Sequence, residues 1–163
     1  MSPVRRRLHR SDAERQPELV WNAFVDLIVE EDFGVLSPTQ AVAHLAFFYD
    51  AEVQNGGHAQ YFHNVGLPIA HDTVTALRSL GLDCQAAVLR KALGDAESSS
   101  ATQRGDTFDV RALLRWLNPF RRTERTYHLE PHDEAYHRCS PTITAALHEY
   151  LTGHVDEFLQ YVD

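Results

Sequence analysis

The chain has 163 residues, 44% hydrophobic and 23% charged, with a formal net charge of −8. At about 100–200 residues per domain this is one domain of ordinary globular composition, which excludes general disorder. Net acidity argues against a protein that holds nucleic acid by neutralising phosphates, because such domains are basic.

Residues 1–11 carry four arginines and no acid. They read as a basic, flexible tail ahead of a single domain over residues 12–163. The tail is basic like the start of a signal peptide, but Ser11, Asp12, Glu14 and Arg15 stand where an apolar segment would have to be. The longest apolar run, 41–49, is interrupted by His44 and falls far short of the ~20 residues of a membrane span. A cytoplasmic protein is expected.

Between residues 12 and 77 ten acids are opposed only by Arg15. Val20, Phe24, Leu27 and Ile28 recur at helical spacing and predict a core-facing stripe. Opposite it, Glu14, Glu18, Asn22, Asp26 and Glu30 recur every four residues, with Pro17 interrupting continuity from Glu14. Each four-residue step advances about 6 Å along a helix axis, the same order as phosphate separations along DNA. Glu18, Asp26, Glu30, Glu31 and Asp32 are therefore the candidate acidic face for a basic partner. The plainer reading is the solvated face of an amphipathic helix.

Ser37-Pro38 predicts the next helix start, with Ala41, His44, Leu45 and Phe48 on one face. Asn55-Gly56-Gly57 predicts its end and a reversal into a short helix over about 58–64 that stops at Gly66. Here Gln60 and Asn64 share a face and are expected to bond backbone groups freed by the turn, with Tyr61 and Phe62 in the core. The alternative is a polar binding site at which Glu52, Asn55, Gln60 and Tyr61 converge.

Helices are expected over about 70–80 and 83–93, closed by Gly81 and Gly94, then a loop over 95–105. Asp106 should cap a further helix through Leu117. Arg111, Arg115, Arg121, Arg122 and Arg125 form a basic cluster that opposes the acidic stretch. The last helix should start at Ser140-Pro141 and carry Ile143, Leu147, Leu151, Val155, Phe158 and Leu159, with Gly153 bending or breaking it. The expected fold is all-α, a single compact domain of about seven to eight helices.

Cys84 and Cys139 belong to no C-x-x-C pair and read as buried, reduced thiols, although a disulfide is not excluded by spacing. Ten histidines are present. His128, His132 and His137 are weak metal candidates, because His132 and His137 are five residues apart and no H-E-x-x-H motif occurs. No nucleophile elbow, P-loop or dinucleotide loop occurs, so neither a cofactor nor catalysis is expected.

The segment Glu52-x-x-Asn55-Gly56-Gly57-x-x-Gln60-Tyr61-Phe62-x-Asn64-x-Gly66 resembles a signature of a bacterial family of largely unknown function whose named member is a DNA-mimic protein. The order of the elements C-terminal to this segment also agrees: a helix ending at Gly81, a second helix, a variable loop, then Asp133-Glu134-Ala135-Tyr136 leading into a C-terminal helix. The resemblance covers roughly residues 40–160. It implies an α-helical, dimeric protein without known catalytic activity, and for the named member binding to a transcription factor in place of DNA. Three functions remain open: an acidic regulator docking on a DNA-binding protein, an immunity or antitoxin protein neutralising a toxin, and a metal-dependent enzyme built on the histidines. The first two call for a protein partner, with no direct nucleic-acid or membrane contact.

Overall fold

The computed structural model describes residues 4–101 and 129–163. The helix expected from Asp106 to Leu117, the cluster Arg111, Arg115, Arg121, Arg122 and Arg125, and His128 lie outside the described residues. Eight α-helices and one two-stranded parallel sheet are present among them: β1 (Arg6–His9), α1 (Arg10–Arg15), α2 (Glu18–Glu30), α3 (Pro38–Val65), α4 (Leu67–Ser79), α5 (Asp83–Ala101), α6 (Glu130–His137), α7 (Ile143–Gly153), α8 (Val155–Phe158) and β2 (Leu159–Val162). The all-α expectation holds.

The flexible tail is corrected over part of its length. Arg6 pairs with Leu159 and His9 with Val162 in a parallel ladder. Alternation explains why so basic a segment docks: Leu8 packs on the core and Arg6 turns inward to α2, while Arg5, Arg7 and His9 face solvent. This two-residue period spans too few positions to stand out in sequence.

Pro17 separates α1 from α2, so the polar stripe restarts at Glu18. Phe24, Leu27 and Ile28 are fully buried, as their spacing requires. Helix α3 starts as predicted, with a capping box in which the Ser37 hydroxyl accepts from the Gln40 amide and the Gln40 side chain accepts from the Ser37 amide. The buried stripe of α3 is a correction. It is Gln40, Ala43, Ala46, Tyr49 and Val53, whereas Ala41, His44, Leu45 and Phe48 are only half buried. Gln40 is inside because its amide nitrogen donates to the carbonyls of Val4 (2.6 Å) and Glu157 (2.7 Å), tying both chain ends to the start of α3.

Two further boundaries move. Helix α5 runs through Gly94 to Ala101, across much of the expected loop, because Ala96 on its inner face is still fully buried. The expected last helix is three elements: Thr142 caps α7 by accepting from the Ala145 amide, α7 ends at Gly153, and Phe158 and Leu159 are buried from α8 and β2. One continuous core results, with Phe24 edge-on to Phe158 and Tyr49 edge-on to Tyr61 and Tyr136.

The two cysteines are corrected as well. Helices α5 and α6 run in opposite directions against each other, which brings Cys84 and Cys139 to 5.6 Å between Cα atoms in a disulfide. No helix is long and apolar enough to cross a membrane among the described residues.

Candidate functional site

The glycine pair interrupts α3 without ending its path. Gly57 adopts φ 74° and ψ −177°, a region open in practice to glycine alone, and the chain re-enters the helix at once. Space demands glycine there too: a Cβ on Gly57 would lie 2.9 Å from Cγ of Asp133. The kink lets α6 approach closely and deliver that carboxylate.

Asp133 Oδ1 accepts two hydrogen bonds from His58, one from its backbone amide (2.8 Å) and one from its ring Nδ1 (2.6 Å). With Nδ1–H committed to the carboxylate, Nε2 accepts the Tyr49 hydroxyl proton at 2.8 Å. His58 is 0% exposed. Burial lowers its pKa from the ordinary histidine value, with Asp133 opposing that shift. Tyr49 is raised well above the usual tyrosine value, chiefly by desolvation. Both shifts favour the uncharged forms of His58 and Tyr49. Tyr136, one helical turn beyond Asp133, donates its hydroxyl to Asp50, and burial raises its pKa.

A second polar group faces the other side of the kink. Glu52 is 8% exposed, and its Oε2 accepts from the side-chain amides of Gln60 and Asn64, each at 2.8 Å. Gln60 and Asn64 thus share a face as expected, but their partner is a carboxylate rather than freed backbone. Two amide donors provide the hydrogen bonds that a buried carboxylate requires. Gln60 also folds across Gly56, where any side chain would collide with it. Asn55 is exposed at the bend, and Gly66 (φ 85°) joins α3 to α4.

Tyr61 and Phe62 are core aromatics. The Tyr61 hydroxyl donates to Thr73 Oγ1 at 2.8 Å on α4, and burial raises its pKa. Of the alternative binding set, only Glu52 and Gln60 meet; Tyr61 turns into the core and Asn55 toward solvent. Sequence pattern alone singles out neither Tyr49 nor the His58–Asp133 pair. The one available signal is an acid at 133, in the segment after the variable loop.

The candidate metal histidines among the described residues, His132 and His137, do not assemble. His132 Nε2 lies 2.7 Å from Asp95, and its ring centre is 6.2 Å from that of His58, while His137 is exposed beside Tyr136. Among the described residues no three of His, Cys, Asp or Glu converge as a metal set.

The acidic residues lie on α2 and, for Glu31 and Asp32, just past its end. Glu18, Asp26 and Asp32 are exposed or half exposed, and none has a cationic partner among the described residues. Glu30 is also exposed, whereas Glu31 is half buried. Arg6 enters this face from β1, pairing with Glu30 (3.0 Å) and Glu31 (2.5 Å) and donating to the Asp26 carbonyl. The acidic residues are thus not free of arginine. An exposed apolar tip, Phe33 and Val35, adjoins Asp32.

A family model described as DMP19-like protein matches residues 35–154. The chain belongs to this family. Comparison with curated proteins and with solved structures returns no match. The matched span contains the kink, both polar groups and the disulfide. Helices α1 and α2, with the acidic face and both strands, lie outside it.

Proposed function

We propose that the protein is a non-catalytic, acidic interaction protein of the DNA-mimic type, which offers the α2 face to the basic surface of a DNA-binding protein. The observation that carries this reading is that Glu18, Asp26 and Glu30 of α2 and Asp32 just past its end are all exposed. Membership of the DMP19-like family supports the mimic type, through the resemblance to a family whose named member replaces DNA, while the choice of the α2 face rests on the exposed acids alone. Carboxylates fixed on a helix meet an arginine and lysine array without the ordering cost of a flexible acidic tail. Nothing in this mechanism requires a bound group or a reacting side chain.

Arg6 limits the face, because it neutralises part of the Glu30–Glu31 end. The mimic then rests most on Glu18, Asp26 and Asp32, with Glu30 shared between Arg6 and the partner.

The test is affinity capture from native lysate with the wild-type chain and with a charge-neutralised variant (Asp26→Asn, Glu30→Gln, Glu31→Gln, Asp32→Asn). DNA-binding proteins should be captured by the wild type, released by duplex DNA and by salt, and lost with the variant. Capture that survives neutralisation, or that yields no DNA-binding protein, ends this reading. Light scattering on the same samples checks the dimer that the resemblance implies.

A further inference from the structure

The disulfide links two unlike environments. Cys84 lies on the surface in the first turn of α5, whereas Cys139, just past α6, is only 8% exposed. The bond joins residues 55 apart in sequence, and α6 inside that loop carries Asp133 and Tyr136 to the kink of α3. At the other end of α6, His132 meets Asp95 of α5. One covalent and one polar tie therefore pin the two ends of α6 along α5. Next to the bond, Gln85 donates to the Pro141 carbonyl at 2.6 Å, while its own buried side-chain oxygen has no partner. This polar joint holds α5 to the α6–α7 connection independently of the sulfurs.

We propose that Cys84–Cys139 is a thiol–disulfide exchange site, opened by a dithiol reductant that enters at Cys84. The reductant's thiolate attacks Cys84 Sγ, forming a mixed disulfide, and Cys139 leaves as a thiolate and takes up a proton. The second reductant thiol then attacks the mixed disulfide, Cys84 leaves and is protonated, and the reductant departs as a disulfide. Two electrons and two protons pass to the protein. Access selects the sulfur, since the buried Cys139 is shielded while Cys84 is not. The freed Cys139 has a partner waiting: its sulfur lies 3.6 Å from the Ala135 carbonyl oxygen, which accepts the thiol proton. Because the ties at His132, Asp133 and Gln85 persist, opening loosens α6 on α5 without dismantling the fold.

The full-length chain, purified oxidised, is equilibrated without denaturant in graded mixtures of reduced and oxidised dithiothreitol. Thiols are counted by mass after maleimide labelling, and amide exchange is followed over residues 130–139. The two thiols should appear as a pair in native buffer, with faster exchange in α6 and an unfolding constant about a thousandfold larger, as expected for a loop of this length. In Cys139→Ser, the remaining Cys84 thiol should label at least tenfold faster than Cys139 does in Cys84→Ser. A bond that stays closed until denaturant is added overturns the proposal, as do equal labelling rates in the two serine variants. If either serine variant fails to fold, the redox titration of the wild-type chain decides alone.

Discussion

Asp133 and His58 are 75 residues apart in sequence, yet one carboxylate oxygen of Asp133 receives both the backbone amide and the ring Nδ1–H of His58. This double acceptance satisfies two donors of a fully buried residue at the break in α3. Asp133→Ala strands both donors and should cost about 3 kcal/mol, whereas Asp133→Asn keeps an acceptor in place and should cost about 1 kcal/mol. Urea unfolding of the two variants checks the order; equal losses would mean that the hydrogen bonds matter less than packing.

The kink itself makes a sharper prediction. Gly57→Ala places a methyl against the Asp133 carboxylate and imposes a backbone region that costs about 1–3 kcal/mol for other residues. The melting temperature should fall by several degrees, and double-mutant analysis with Asp133→Ala should show strong coupling, because removing the carboxylate relieves the clash but not the backbone strain. Gly81→Ala has open space at its site. It should therefore show the cost of positive φ alone, without coupling to Asp133.

These relationships mark the boundary of what sequence conveys here. Helix starts at Ser37-Pro38 and the break at Gly56-Gly57 are legible because capping and positive φ are local requirements. The strand at 6–9 is not, since its partner is the far end of the chain and two half-buried positions make no pattern. The disulfide and the His58–Asp133 bond share that difficulty, because one depends on how α6 packs on α5 and the other on how it packs on α3. The Glu52–Gln60–Asn64 group lies between the two cases. The spacing places its amides on one face, but only the bend brings a carboxylate to them.

Mild acid should destabilise the protein through its buried histidines. Burial lowers both His44 and His58 from their ordinary value of 6.5. The unfolded chain therefore binds protons at a higher pH than the folded one, so stability is retained above about pH 6.5 and falls as the pH drops below it. His44 faces the Ile28 carbonyl, Phe33 and Phe48; His58 faces Asp133, His132, His137 and Tyr49. Denaturant midpoints measured from pH 7.5 down to about pH 5 should decline, and His44→Gln should flatten the decline in part. A midpoint that is unchanged or rises on acidification would show that these rings do not carry the dependence.

Arg6 offers the most direct test of how the acidic face works. Its guanidinium bridges Glu30 and Glu31, so Arg6→Gln returns two carboxylates to the α2 surface while keeping a polar side chain on β1. Partly exposed pairs of this kind contribute about 0.2–1 kcal/mol each. A small loss of stability should accompany a roughly two- to fivefold tighter association with an arginine-rich probe peptide, read by fluorescence anisotropy at low salt. The gain should shrink as salt rises, because the added attraction between exposed charges is screened within about 10 Å at 0.1 M. If Arg6→Gln leaves the peptide affinity unchanged while Asp26→Asn weakens it, the working face is centred on Glu18 and Asp26, toward the N-terminal part of α2. If both substitutions are silent, the carboxylates of α2 do not engage a basic partner.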